Sequence, residues 1–178
     1  MEFRVLGPVE LVAGQRAPPL GGYRQRLVLA VLLSRANQVV STDWVVDAVW
    51  GDQPPRTARK TLQVYLARLR QLIGEDVITT TPAGYRLEAS AESLDSLRFE
   101  QLAYAGHAML ADDPAGAAST LRQALALWRG PAFGDSGDVP ALQPERTRLH
   151  EARLGVLDDR IEADLAPVSY THLTLPTN

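Results

Sequence analysis

Apolar residues in the first part of the chain change their spacing several times, and each spacing predicts one element. Residues 3–12 alternate bulky and polar side chains around Gly7 and Pro8, which predicts two short strands joined by a turn. Within residues 23–36, apolar side chains recur at three- and four-residue intervals, which predicts an amphipathic helix. The predicted core face of this helix comprises Leu27, Ala30, Val31 and Ser34.

A second helix is predicted to begin at Ser41 or Thr42. A hydroxyl at either position can accept from the free backbone N–H groups one turn further on. Gly51 is predicted to end the helix. Its predicted core face comprises Val45, Val46, Val49 and Trp50.

A third helix is predicted over residues 56–73, after Pro54 and Pro55 and before Gly74. Residues 53–74 contain five basic side chains and no acidic one. Helical spacing places one set inward, namely Ala58, Leu62, Tyr65, Leu66, Leu69 and Ile73. The opposite, cationic side is predicted to include Arg56, Lys60, Gln63, Ala67 and Arg70.

Two β-rich runs follow this helix, residues 77–81 and 85–87, on either side of Pro82, Ala83 and Gly84. They predict a hairpin. A small sheet, three helices with the last one basic and a terminal hairpin form the element order of a winged helix-turn-helix. The hairpin would then be its wing.

The pattern changes after residues 88–93, which have no period and are predicted to be a linker. A helix is predicted from about residue 97 to 111, then a turn at Asp112–Pro114 and a helix to Trp128. The pattern of small and large side chains in these two helices resembles that of a tetratricopeptide repeat, in which it lets two helices approach closely. The matching residues are Ala105, Ala117, Leu121 and Ala124. A long helix is predicted over residues 145–165. The predicted fold class is therefore mixed, an α+β winged helix-turn-helix followed by part of an all-α tetratricopeptide-like domain.

Composition narrows the functional classes. The net charge of −3 is the sum of +3 over residues 1–90 and −6 over residues 91–178. A basic half beside an acidic half is typical of a nucleic-acid-binding domain joined to a protein-binding domain. Cysteine is absent and the three histidines are far apart, so neither a metal nor another cofactor is expected. The chain has no phosphate-binding glycine loop and no nucleophile with a plausible base, so an enzyme is not expected. Without a signal peptide or a long apolar run, a cytoplasmic protein is expected, with no membrane association.

The run Lys60–Arg70, followed by Gly84-Tyr85-Arg86, resembles the OmpR-type effector domain. Three further motifs, Leu6-Gly7-Pro8, Arg24-Gln25-Arg26 and Asp47–Gly51, are more narrowly similar to the Streptomyces antibiotic regulatory protein (SARP) family. The match covers about residues 3–88. Ala124–Gly130 and the long helix also resemble the bacterial transcriptional activator domain that follows the winged helix in that family.

The resemblance implies that the third helix enters the major groove, with Arg68 and Arg70 near bases or phosphates. It places Thr79 and Thr81 where the wing meets the DNA backbone. Ala67 and Thr81 depart from the family pattern, which often has basic residues there. The expected DNA-contacting residues are Arg56, Arg59, Lys60, Thr61, Gln63, Val64, Tyr65, Ala67, Arg68, Arg70, Thr79, Thr81 and Arg86.

The implied partners are double-stranded promoter DNA, RNA polymerase holoenzyme and a second copy of the chain on direct repeats about one helical turn apart. The expected domains are residues 1–93, a winged helix with its linker, and residues 94–167, the first part of an activator domain. Residues 168–178 carry no charged side chain and are expected to be a foreign, disordered tail on a truncated protein. The alternative function is a helical protein-interaction scaffold whose winged helix binds protein rather than DNA. Separately, the alternative interpretation of Arg68 and Arg70 is that they only solvate a helix face.

Overall fold

The computed structural model describes the backbone of residues 1–171 and the side chains of residues 1–166. The chain opens with two strands, β1 (Glu2–Arg4) and β2 (Glu10–Val12), which pair antiparallel with Phe3 opposite Leu11. Both of these side chains are buried. The predicted pair of short strands is confirmed.

Three helices follow, α1 (Tyr23–Leu33), α2 (Thr42–Trp50) and α3 (Ala58–Ile73). The Ser41 hydroxyl accepts from the Trp44 N–H at 3.1 Å and caps α2, as predicted. Helix α1 ends three residues before the predicted boundary, and Asn37 then takes a left-handed conformation with φ of 66°. Helix α3 begins two residues later than predicted, so Arg56 lies in the preceding turn.

The predicted hairpin is confirmed as β4 (Ile78–Thr81) and β5 (Gly84–Leu87). Sequence periodicity did not predict β3 (Val39–Val40), which pairs antiparallel with the other edge of β5. Two residues are too few to display a strand period. Gly84 has φ of 142°, and a Cβ on it would lie 1.9 Å from the Val40 carbonyl oxygen. Glycine therefore allows the turn of the wing to lie against β3.

The second half contains α4 (Asp95–Met109), α5 (Pro114–Ala126), a 3₁₀ turn (Pro140–Leu142) and α6 (Gln143–Thr171). The Asp113 carboxylate accepts from the Gly116 N–H at 2.9 Å and caps α5, as predicted. The prediction that Ala105 lies between α4 and α5 is wrong, because Ala105 is exposed. Its neighbour Gly106 is buried against Leu121, where a Cβ would come within 2.5 Å of Cδ2.

Helix α6 continues through Thr171 and so includes residues 168–171, which were expected to lack helical order. Residues 172–178 of the expected tail lie outside the described part of the chain.

The residues that follow β1 join the two halves. The N–H of Phe133 donates to the carbonyl of Val5 at 2.8 Å, and that of Arg129 donates to Leu6 at 2.7 Å. The N–H of Gly134 donates to Gly7 at 3.0 Å. We call these contacts, between residues 5–7 and residues 129–134, the seam. Apolar side chains from both halves also form one continuous buried cluster, so residues 88–93 do not separate two independent cores.

A buried carboxylate lies beside the seam. Asp95, in the first turn of α4, accepts from the N–H groups of Val5 at 2.8 Å and Leu6 at 3.1 Å. Its side chain is 2% exposed, and the Arg129 guanidinium lies 3.8 Å away. Burial raises the pKa of the Asp95 carboxyl above its ordinary value, while the two N–H groups and Arg129 act in the opposite direction.

Candidate nucleic-acid interface

Helix α3 has one buried and one exposed face. The predicted inward residues Ala58, Leu62, Leu66, Leu69 and Ile73 are all buried. Tyr65, also predicted to face inward, is half-buried, and its ring stacks on Trp50 with centroids 6.4 Å apart. The residues open to solvent are Arg59, Lys60, Gln63, Val64, Ala67, Arg68 and Gln71. Most of the motif positions expected to touch DNA therefore lie on one accessible surface, while Thr61 is half-buried at its edge.

The basic side chains around α3 are not equivalent. Arg59 forms an ion pair with Asp43 at the start of α2, which neutralises part of its charge. In the described part of the chain, Arg56, Lys60 and Arg68 have no ion-pair partner, and all three are exposed. These three side chains can bind an external anion without first breaking an internal contact.

Arg70 is held by the wing. Its Nε donates to the Ile78 carbonyl at 2.8 Å, and its Nη2 donates to the Thr80 hydroxyl at 2.8 Å. Arg68 and Arg70 are two residues apart and thus about 200° apart around a helix of 3.6 residues per turn. They lie on opposite flanks of the exposed face. Arg70 is on the flank next to β4.

On the wing, Thr79 and Thr81 are half-buried and both donate to carbonyl groups of β5, those of Arg86 at 3.4 Å and Gly84 at 3.3 Å. Arg86 is also half-buried and lies 3.6 Å from the Glu88 carboxylate. The exposed threonine of β4 is Thr80, which sequence reasoning did not single out. The two-residue strand period separates Thr80 from Thr79 and Thr81, and this signal was available in the sequence.

Arg68 lies at the edge of a cleft of about 920 Å³. One wall is formed by the winged helix, including Tyr23, Trp44 and Tyr65, and the other by residues 138–141 of the helical half. The carboxylates of Asp47, Asp52 and Asp138 also line it. Only the fold shows this cleft, because its walls are distant in sequence.

The geometry suits recognition of a polyanion. Helix α3 carries cations without ion-pair partners among the described residues and lies beside a hairpin fixed to it by Arg70. Such a surface can follow a phosphate backbone while presenting side chains to a groove. Among the described residues, no cluster of three or more histidine, aspartate or glutamate side chains could hold a metal ion. No helix in the same part of the chain is both long and apolar enough to cross a membrane.

Two known families match the chain in consecutive blocks. Residues 21–87 match "Transcriptional regulatory protein, C terminal" and residues 94–172 match "Bacterial transcriptional activator domain". The first block contains α1 to β5, and the second begins one residue before α4. Both families are families of transcriptional regulators, not of enzymes.

Similar full-length proteins are named as regulators. The chain is 36% identical over 168 residues to the regulatory protein AfsR of Streptomyces coelicolor, covering 93% of this chain and 17% of that protein. It is 36% identical over 180 residues to the regulatory protein DnrI of Streptomyces peucetius, covering 93% of this chain and 65% of the relative. The chain thus spans less than two thirds of the length of each relative.

A solved structure also matches. It is Mycobacterium tuberculosis EmbR in complex with a low-affinity phosphopeptide, with a TM-score of 0.88 and 31% sequence identity. The match covers 97% of this chain and 47% of that one, and it includes both the winged helix and the helical half.

Proposed function

We propose, from the premise that this chain belongs to the SARP family of transcriptional regulators, that it binds promoter DNA sequence-specifically and activates transcription. Helix α3 enters the major groove and the β4–β5 wing contacts the backbone. The single observation that carries this proposal is the exposed face of α3, on which Lys60 and Arg68 have no ion-pair partner in the described part of the chain. An arginine can bind guanine O6 and N7 with two parallel hydrogen bonds.

The proposed contacts fall into two groups. Arg56, Lys60 and Arg68 are exposed and approach the DNA directly, together with the uncharged residues Thr61, Gln63, Val64, Tyr65 and Ala67 of the same helix. Arg59, Arg70, Arg86, Thr79 and Thr81 have internal partners. We propose that this second group orients α3 and the wing, and adds phosphate contacts where a guanidinium nitrogen remains available.

We propose that residues 1–93 form the DNA-binding unit and residues 94–167 form the activator unit. The seam connects the two units. RNA polymerase is proposed as the partner of the activator unit. Two copies are proposed to bind direct repeats about one helical turn apart, so that each α3 meets the same face of the DNA.

The experiment is a binding-site selection with the whole chain, followed by salt titration on the enriched sequence. Each phosphate contact releases about one counterion, so replacing a contacting cation lowers the slope of log Kd against log salt by about one. We expect this in Lys60→Ala and Arg56→Ala. Arg160→Ala is the matched control, because Arg160 lies on α6 and pairs with Asp164.

The alternative, a scaffold whose winged helix binds protein, makes the opposite prediction. Selection would then enrich no sequence, and any residual DNA binding would have the same salt slope in all three variants.

A further inference from the structure

The helical half contains a second cavity, away from α3. Its volume is about 600 Å³, and it lies between residues 128–137 and the first turns of α6. Helix α6 contributes Arg146, His150 and Arg153, which are spaced by four and three residues and so share one face. Opposite them are Trp128 and the glycine, alanine and proline residues that follow it.

The charge around this cavity has one sign. No carboxylate lines it among the residues whose side chains the structure describes. The nearest acidic residues along the lining segment have other partners, since Asp135 accepts from the Val9 N–H at 2.8 Å and Asp138 accepts from Gln143 at 3.0 Å. A site with two guanidinium groups and no carboxylate favours an anion.

The fold fixes the position of the cationic groups. Arg146 donates to the carbonyls of Ala132 at 3.2 Å and Phe133 at 2.8 Å, which orients it against the lining segment. The Arg153 guanidinium lies over the Trp128 ring, 4.8 Å from its centroid. An arginine stacked on an aromatic ring retains its in-plane N–H donors for a further partner.

Two donors of the lining residues lack a partner. Neither the indole Nε1 of Trp128 nor the Nε of Arg153 has a hydrogen-bond acceptor in the described part of the chain, although both atoms are buried. Buried donors without acceptors are uncommon, because each loses its hydrogen bond to water. A ligand oxygen in the cavity would attract the Arg153 guanidinium. Movement of Arg153 would then change the environment of its own Nε and of the Trp128 Nε1 on which it is stacked.

We propose that this cavity binds a small organic anion, a carboxylate or phosphate group on an apolar body. Arg153 and His150 would hold the anionic group, and the alanine, proline and glycine wall would contact the apolar part. The volume lies within the range of small-molecule sites, and so does the combination of a largely apolar wall with a few polar groups.

The site also adjoins the seam. Its wall includes Gly134, and residues 129–134 donate to the carbonyls of Val5, Leu6 and Gly7. A ligand that orders this wall therefore stabilises the connection to the winged helix. The proposal does not depend on DNA binding, and its test needs no DNA.

The test is an NMR titration of the ¹⁵N-labelled whole chain with phenyl phosphate, to roughly 10 mM, a concentration that nearly saturates a site with a Kd of about 1 mM. The chain has three tryptophans, so three indole N–H resonances are expected, and Trp128→Phe identifies one by its disappearance. We expect a saturable shift of the Trp128 resonance, unchanged Trp44 and Trp50 resonances and a higher Tm.

Variants and probes separate specific from general effects. Arg153→Gln is expected to weaken binding about tenfold, which corresponds to about 1.4 kcal/mol. The exposed His150→Gln, which leaves the buried groups in place, is expected to weaken it less. Arg160→Gln, on the same helix but paired with Asp164, should leave it unchanged. Inorganic phosphate and phenol should each bind more weakly than phenyl phosphate.

Three results would overturn the proposal. The first is no saturable shift with phenyl phosphate. The second is equal affinity of the wild-type chain and both Arg153→Gln and His150→Gln. The third is binding of phenol as tightly as phenyl phosphate, which would show that the charge is not recognised.

Discussion

Arg70 of α3 donates to the hydroxyl of Thr80 in the wing at 2.8 Å, so α3 and the hairpin are joined by a side-chain hydrogen bond. A second bond from Arg70 to the Ile78 carbonyl directs the guanidinium to the same strand. An arginine expected from its position to contact DNA thus also fixes the wing.

Thr80→Val removes the acceptor of Arg70 but keeps its charge. The free energy of unfolding should fall by about 0.5–1.5 kcal/mol, the usual net value of one hydrogen bond. The salt slope of DNA binding should not change, because no cation is lost. Urea unfolding and salt titration measure the two effects. A lower slope in Thr80→Val would contradict the division between orientation and phosphate contact.

Arg68→Ala tests base recognition. Arg68 is exposed and has no ion pair in the described part of the chain, so its loss should leave Tm nearly unchanged. Affinity for the selected sequence should fall by about 1–3 kcal/mol, and affinity for random DNA should fall much less. Equal losses on both DNAs, measured by fluorescence anisotropy, would make Arg68 a phosphate contact only.

Gly106→Ala should destabilise the chain. The added Cβ would lie 2.5 Å from Cδ2 of the fully buried Leu121, and such overpacking costs about 1–3 kcal/mol. Gly155→Ala is the matched control in α6, where the added Cβ meets nothing within 4 Å. That substitution should stabilise the helix by about 0.5–1 kcal/mol. Urea unfolding of both variants provides the comparison, and changes of the same sign would contradict the close packing of α4 on α5.

Asp95 should give a pH-dependent contribution to stability. Its folded-state pKa is raised, mainly by burial, so the folded chain holds the proton more tightly than the unfolded chain. The contribution is fully present below the unfolded pKa and is lost as pH rises through the folded pKa. The free energy of unfolding of the wild-type chain minus that of Asp95→Asn should therefore decrease as pH rises above about 3.9, the unfolded value, and then become constant. A difference that increases with pH over this interval would show that the N–H groups of Val5 and Leu6 outweigh burial.

Local signals in the sequence predicted most of the fold. The apolar period gave α1, α2 and α3, the hydroxyl of Ser41 gave a cap, and the turn around Gly84 gave the wing. Each of these depends on residues within a few positions of one another. The sequence did not predict β3, because a strand of two residues is too short to display a period. It also placed Ala105 instead of Gly106 between α4 and α5, because neighbouring helical residues differ by only about 100° around the axis.

Some features of the candidate site could also be predicted from the sequence, and others could not. The helical period predicted the exposure of Lys60, whereas Arg68 was singled out only by the family resemblance. The period also placed Arg70 on the exposed side, but Arg70 is half-buried and bound to the wing. The internal partners of Arg59 and Arg70 could not be predicted, because they depend on where α2 and β4 pack against α3. The cleft beside Arg68 and the cavity beside Arg153 each combine segments that are distant in sequence, and no local pattern encodes them.

The hydrogen bonds that residues 129–134 donate to Val5, Leu6 and Gly7 also determine how the protein can be recombined. In a fragment ending at residue 93, these carbonyls would lose their hydrogen-bond donors, and β1 would lose its contacts with α4. The N–H groups of Val5 and Leu6 would also lose the Asp95 carboxylate. A chimera designed to exchange the proposed DNA specificity should therefore retain the host's β1 and residues 5–7 together with the host's helical half, and replace only the segment from about α1 to β5.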